Sequence, residues 1–349
     1  MPTDLLQRVI KETGCSRATV YRALQGSSLV SADTRVKVQS AAKRVGFSLN
    51  PLVGDWMVGV RKPQASQTRH PIVYLAGHSS DAYAETPLLS ETWKGARKRA
   101  KELGFSIQIW HVGSHNLELE KIPDQLRKNG IHGVIISRFP PNSSALSLPW
   151  EDLSLVAIGF SAQHPPMHTV SSHGYETMRH CLEDLRRRGY KRPGYVSSIV
   201  TETLGGSRHT ADFLSLRETF PAALDIPLLR LRIEDKSKKN KEEFLKWLQD
   251  YRPDVVLSGG IIEYQDWLIE AGLRIPEDVG FFFLGIRHGN PAYRDLTGIP
   301  QPSTDLGRSA VDLLATLIYH GERGLPSQPD IIQTLVPLLI EGKTVRPTP

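Results

Sequence analysis

From Pro71 onward the chain alternates short apolar runs with amphipathic helices, and this alternation constrains the fold more than any other feature. The apolar runs are Ile72–Ala76, Ser106–His111, Gly133–Ser137 and Leu155–Gly159, then Gly194–Ser198, Leu228–Ile233, Val255–Ser258 and Gly280–Leu284. Helical spacing fills the intervals at Leu88–Leu103, Leu117–Asn129, Tyr175–Arg188, Arg208–Phe220, Lys241–Tyr251 and Glu263–Ala271. Repeated βαβ units form parallel sheets with helices on both faces. Two such runs predict two similar lobes, an N-lobe over about 71–170 with a return segment and a C-lobe over about 175–300. The chain is expected to recross near Leu296–Pro302, then to form a helix over Thr304–His320 and strands near Ile332–Leu339. Doubly wound sheets bind ligands at the carboxyl ends of their strands, which here means a cleft between the lobes.

The first fifty residues read differently, as three short helices. Leu5, Leu6, Val9 and Ile10 recur at helical spacing until Gly14. Ser16 is placed to cap a second helix bearing Val20, Ala23 and Leu24, and Ser31 a third bearing Val36, Val38, Ala41, Ala42 and Val45, closed by Gly46. The tight turn at Gly14-Cys15 is what a helix-turn-helix requires. Asn50-Pro51 then predicts a fourth short helix with Leu52, Val53, Trp56 and Met57 on one stripe. Residues 61–70 are polar and contain a proline, as a linker does. The expected organisation is a helix-turn-helix unit over 1–49, a short helix and linker over 50–70, and a core over 71–349.

Charge separates the same two regions. Residues 1–62 hold Arg8, Lys11, Arg17, Arg22, Arg35, Lys37, Lys43, Arg44, Arg61 and Lys62 against Asp4, Glu12, Asp33 and Asp55, which accounts for the whole net charge of +6. Residues 63–349 are balanced. A cationic end on a neutral body suits polyanion binding, though a solvated basic face gives the same count. The longest apolar stretches are too short to span a bilayer, and the N-terminus lacks a secretory apolar core. Cys15 and Cys181 imply neither a disulfide framework nor zinc spacing, which fits a reducing cytoplasm. There is no Gly-rich phosphate loop, no His-Glu-x-x-His, no nucleophile elbow and no metal-ligand cluster. The expectation is therefore a non-enzyme without cofactor or metal.

The stretch TGCSRATVYRALQGSSLVSADTRVKVQSAAKRVGFSLNP resembles the headpiece of the LacI/GalR family of transcriptional regulators. More loosely, PEDVGFFFLG, LTGIPQPSTDLGRSAVDLL and the closing VPLLIEGKTV resemble that family's core. The resemblance implies an all-α helix-turn-helix headpiece on an α/β two-lobed, periplasmic-binding-protein-like core with parallel sheets. It also implies a homodimeric repressor on a pseudo-palindromic double-stranded DNA operator. Residue chemistry agrees about the second helix. Arg17 and Arg22 suit bidentate contacts to guanine, and Ala18 suits a thymine methyl. Ser16, Thr19, Tyr21, Ser31, Thr34 and Arg35 suit phosphates. The plainer alternative for Arg17 and Arg22 is a surface ion pair. The resemblance places Asn50, Val53 and Trp56 in the hinge helix, with Trp56 as a minor-groove wedge where the family usually has leucine. Val53-Gly54 and Asp55 depart from the family pattern there, and Trp56 packing on the partner subunit stays open.

In the cleft, the resemblance implies a small-molecule effector such as a sugar, a sugar derivative or another polar metabolite. Arg208 and Gln301 match family positions. Three acidic or amide positions appear instead as Gly159-Phe160, Gly259-Gly260 and Gly285-Ile286. A sugar would then lose hydroxyl partners, at about 1–3 kcal/mol for each one left unmet. Strand-end geometry offers His78, Ser80, Asp81, Tyr83, Ser137 and Arg138 as replacements, with Phe160 beside them, and a solvated loop is the alternative for each. Arg138 with Arg208 suits a phosphorylated or carboxylated effector. The competing readings are a two-lobed small-molecule-binding protein, or an enzyme, whose N-terminal helices do not read DNA.

Overall fold

Short polar caps and left-handed stops shape the N-terminal helices α1 (Pro2–Thr13), α2 (Arg17–Leu24) and α3 (Ala32–Val45). Ser16 Oγ accepts from the Thr19 amide at 3.2 Å, and Ser31 Oγ from the Thr34 amide at 3.3 Å. Each satisfies a donor that the first helical turn leaves open. Gly14 at φ 66° and Gly46 at φ 72° occupy the left-handed region, which glycine enters without strain and which ends α1 and α3. Leu6, Val9, Val20, Ala23, Val30, Val38, Ala41 and Ala42 close one small core. Val36, expected on the apolar face of α3, is 62% exposed instead. It lies two residues before Val38, which puts it well around the helix from the buried stripe.

The computed structural model describes residues 2–24, 29–47, 70–112, 122–139, 150–160, 166–199, 208–232, 238–287, 289–327 and 330–348. The chain divides into a small unit built on the N-terminal helices and a large α/β unit. The expected hinge helix, including Asn50, Val53 and Trp56, and the linker through 69 lie outside the described residues.

The large unit carries two sheets. The first contains β1 (His70–Ala76), β2 (Phe105–His111), β3 (Gly133–Ile136), β4 (Ser154–Ile158), β5 (Thr169–Ser172) and β11 (Ile332–Leu335), in the order β11-β5-β4-β3-β1-β2. The second contains β6 (Pro193–Ser198), β7 (Leu229–Leu231), β8 (Val255–Gly259), β9 (Gly280–Ile286) and β10 (Thr297–Pro300), in the order β10-β9-β8-β6-β7. Neighbouring strands pair in parallel, as Ile72 does with Gly133, Gly133 with Ser154 and Val255 with Gly280. Strands β3 and β4 are buried along their length, as parallel strands covered on both faces are.

Helices α4 (Ser80–Glu85), α5 (Pro87–Glu102), α6 (Ile122–Lys128) and α11 (Ser303–His320) belong with the first sheet in chain order or packing. Helices α7 (Gly174–Arg187), α8 (Arg208–Leu216), α9 (Lys238–Tyr251) and α10 (Glu263–Glu270) serve the second. Val73, Leu75, Leu126, Val134, Ile136 and Trp150 fill one core; Leu182, Phe213, Phe244, Val256 and Phe282 fill another. Helices α5 and α11 meet at almost backbone distance. A Cβ on Gly307 would stand 2.0 Å from the Thr92 carbonyl oxygen, and one on Gly95 would stand 2.0 Å from that of Thr304.

Three segments connect the lobes: β5 into α7, β10 into α11, and β11 into the C-terminal tail. The last was not expected. After Leu335 the chain returns to the second lobe, where Ile340 bridges Gly298 and Val345 joins the core. Several local readings also change. The loop expected over His78–Tyr83 turns into α4 from Ser80 under the cap of Ser79, whose Oγ accepts from the Ala82 amide at 3.3 Å. Strands β5 and β10 occupy segments read as connections. The helix expected over Arg208–Phe220 ends at Leu216 and breaks into tight turns before Pro221. Proline in the next turn cannot supply the amide that a continuing helix needs.

Candidate nucleic-acid interface and ligand cleft

Helix α2 buries Val20 and Ala23 and turns Arg17, Ala18 and Arg22 outward, with Tyr21 half-buried beside them. The spacing i, i+1, i+4, i+5 puts these four side chains on one face. Arg17 lies over the Tyr21 ring, 5.9 Å from its centroid. Neither Arg17 nor Arg22 has a carboxylate within ion-pair reach among the described residues. Ser16 and Thr19 hydroxyls stand 2.9 Å apart at the start of α2, and those of Ser31 and Thr34 2.8 Å apart at the start of α3. These residues therefore set two helix N-termini, whose free amides suit phosphate oxygens. Arg35 differs: its Nη2 donates to the Val30 carbonyl oxygen at 3.4 Å, so it is partly engaged within its own domain. The Arg44–Glu12 ion pair links α3 to α1.

In the large unit, a cavity of about 440 Å³ opens between the carboxyl ends of strands of the first sheet and the starts of two helices of the other lobe. Arg138 follows β3, Gly159 and Phe160 follow β4, and Ser171 and Ser172 end β5. From the other side come the first turns of α7 and α8, with His173, Gly174, Tyr175, Arg208, His209 and Asp212. The Arg208 guanidinium carbon lies over the ring of Phe160 from the opposite lobe, 3.7 Å from its centroid. His173 caps α7: its Nδ1 accepts from the Glu176 amide at 3.2 Å, which satisfies one open donor of the first turn. Burial holds the Asp212 carboxyl above its ordinary pKa, against the pull of His209, His173 and Arg208. Burial also lowers the Arg138 pKa, opposed by Tyr74 and Tyr83.

The residues expected in the cleft thus part company. Arg138, Phe160 and Arg208 line the cavity together. Ser137 and Tyr83 are buried beside it, where Tyr74 and Tyr83 both donate to Ser137 Oγ at 2.8 Å. Burial raises the pKa of both phenols. Ser80 and Asp81 are exposed on the first turn of α4. His78 is half-buried, its carbonyl oxygen 2.9 Å from His111 Nδ1, and burial ahead of Arg138 lowers its pKa. Gln301 sits at the end of β10, its amide donating to the Ile286 carbonyl oxygen at 2.9 Å. The cavity residues that sequence reasoning did not assign are Gly159, Ser171, Ser172, His173, Gly174, Tyr175, His209, Ala211, Asp212 and Thr334. Of these, only the segment just before α7 had a signal, since a helix start near a strand end is where cleft groups gather. Among the described residues no group of three His, Cys, Asp or Glu side chains is placed to hold a metal, and no helix is long and apolar enough to cross a membrane.

A helix-turn-helix head with an open cationic face, followed by two doubly wound lobes around a cleft, defines the class of two-lobed helix-turn-helix regulators. No family model matches the chain. It is 23% identical over 319 residues to the HTH-type transcriptional repressor PurR of Pectobacterium carotovorum subsp. carotovorum, which covers 88% of this chain and 89% of that protein. In fold it is similar to the transcriptional regulator CelR in its cellobiose complex, at a TM-score of 0.59 and 19% identity over 97% of this chain and 99% of that one. It is also similar to the Lac repressor dimer bound to operator and the anti-inducer ONPF, at 0.58 and 19% over 96% and 97%. The chain thus shares its fold with these regulators, as its resemblance to the LacI/GalR family implies.

Proposed function

We propose that this protein is a cytoplasmic, sequence-specific DNA-binding repressor, homodimeric on a pseudo-palindromic operator, whose affinity a small molecule in the inter-lobe cleft modulates. The observation that carries the reading is the outward face of α2: Arg17, Ala18, Tyr21 and Arg22 side by side, the two arginines without a carboxylate partner among the described residues. A helix presented this way fits the major groove and can read base edges. Residues 1–49 serve as the headpiece and 50–70 as hinge helix and linker, with Asn50, Val53 and Trp56 on the minor-groove side. The relatives support the same role, since one is a repressor by name and another was captured on operator DNA. Ligand-driven rearrangement of the lobes would shift operator affinity by about 1–3 kcal/mol of coupling.

Selection of bound duplexes from a random pool tests the reading. The expected product has two inverted half-sites spaced by about one helical turn or a multiple. Deleting residues 1–60 should abolish enrichment and leave the ligand cleft intact. A full-length protein that enriches no sequence at low ionic strength, where phosphate contacts are strongest, would sink the proposal.

A further inference from the structure

The cleft carries cationic groups that a neutral ligand does not need. Arg138 and Arg208 line one cavity from opposite lobes, and neither has a carboxylate within ion-pair reach among the described residues. Most of the Arg138 side chain is withdrawn from water, and its pKa is lowered accordingly. A desolvated guanidinium is costly unless it meets an anion or several acceptors. The Arg208 guanidinium carbon lies over the Phe160 ring, 3.7 Å from its centroid. A cation held over a ring keeps N–H donors that match a carboxylate or phosphate. The first turns of α7 and α8 line the same space, adding the positive ends of two helix dipoles.

One acid faces the cavity as well. Asp212 is half-buried, and its Oδ2 lies where a Cβ on Gly174 would stand 2.3 Å away. It is placed to accept from a hydroxyl. At Gly159, by contrast, the cavity wall offers no side-chain acceptor.

Resting on the reading of this cleft as the effector site, the geometry points to a small organic anion bearing a phosphate or carboxylate and at least one hydroxyl as its ligand. Arg138 and Arg208 seat the anion, and Asp212 receives the hydroxyl. The two guanidiniums come from different lobes, so their repulsion opposes closer approach. An anion between them turns that repulsion into attraction from both sides, whereas a neutral molecule of the same shape fills space and leaves it. The ligand's charge is therefore what closes the lobes.

Calorimetry and thermal melting of the full-length protein with inorganic phosphate, gluconate, glucose 6-phosphate and glucose test this. The anions are expected to bind and raise the melting temperature, with glucose inert at the same concentration. The phosphate and gluconate arms show which anion the seat prefers. Arg138→Gln and Arg208→Gln should each weaken anion binding at least about tenfold. Arg208 is exposed, so its variant keeps the test open should Arg138→Gln fail to fold. Three results would overturn the proposal: no anion binding up to roughly 10 mM, glucose bound as tightly as glucose 6-phosphate, or anion affinity unchanged in both arginine variants. Any of these together with a neutral compound that binds in the cleft and changes DNA affinity would remove the anion seat and leave the effector reading. Anion binding that never alters DNA affinity would do the reverse.

Discussion

Helix α2 of the headpiece and the body of the large unit treat their arginines in opposite ways. In the large unit many guanidiniums are staples. Arg99 reaches Asp312 at 2.7 Å and Glu102 at 3.0 Å, and Arg179 reaches Glu176 and Glu183 at 2.7 Å each. Arg188 is the extreme case, with a side chain only 1% exposed and held by Asp184, Glu341 and the Arg346 carbonyl oxygen. On α2, Arg17 and Arg22 stand in solvent without such partners among the described residues. The contrast teaches that cation content alone says little. A paired arginine holds its own fold together, and an unpaired one on an ordered face is available to something else. By that criterion Arg138 and Arg208 belong with the headpiece rather than with the body around them.

The contrast breaks most visibly at Arg188. Replacing it with alanine leaves Asp184, 7% exposed, with only the exposed Arg187 at 3.2 Å, and removes the contacts to Glu341 and the Arg346 carbonyl oxygen. Urea unfolding should show a loss of about 3–5 kcal/mol, and a loss near zero would mean the staple is not structural. Arg22→Ala comes next. Its stability should stay within about 0.5 kcal/mol of the parent because no internal contact is lost. Operator affinity should fall by about 1–3 kcal/mol, with preference relaxed at one base position of each half-site. Equal losses for specific and random duplexes would assign Arg22 to phosphate instead.

Much of this was legible before any coordinates. Periodicity located most of the parallel strands because covered strands are continuous apolar runs, as Val255–Ser258 and Gly280–Leu284 are. The strands it missed are those where burial comes from neighbours rather than composition. Strand β5 is Thr-Val-Ser-Ser, yet it is mostly buried between β4 and β11. Strand β10 ends in proline and reads as a turn. At the site, the cap residues Ser16 and Ser31 were legible because capping is a local effect of one side chain on one amide. Tyr83 and Ser137 were misjudged as open cleft groups because their pairing spans 54 residues and no local pattern encodes it. His209 and Asp212 were hidden for a related reason. Arg208 stood out by resemblance, but which of its neighbours on α8 face the cavity depends on where α7 crosses it, close enough that Gly174 meets Asp212.

The smallest effect is the sharpest check on the comparison. Arg44 is cationic and belongs to the headpiece, so a reading based on charge alone predicts that its loss weakens DNA binding as much as the loss of Arg22. The structure says otherwise. Arg44 is paired with Glu12 across α1 and α3, its side chain 64% and that of Glu12 38% exposed. Such a pair contributes little to stability, about 0–1 kcal/mol, because water screens it and both side chains lose freedom to form it. Arg44→Ala should therefore change unfolding free energy by less than about 1 kcal/mol. In DNA binding it should produce only a weak, sequence-independent loss that fades toward physiological salt, where charges are screened beyond about 8 Å. An Arg44→Ala protein that lost base preference as Arg22→Ala does would show that the DNA-reading surface extends past α2, and that an ion pair seen in the free protein opens when the duplex arrives.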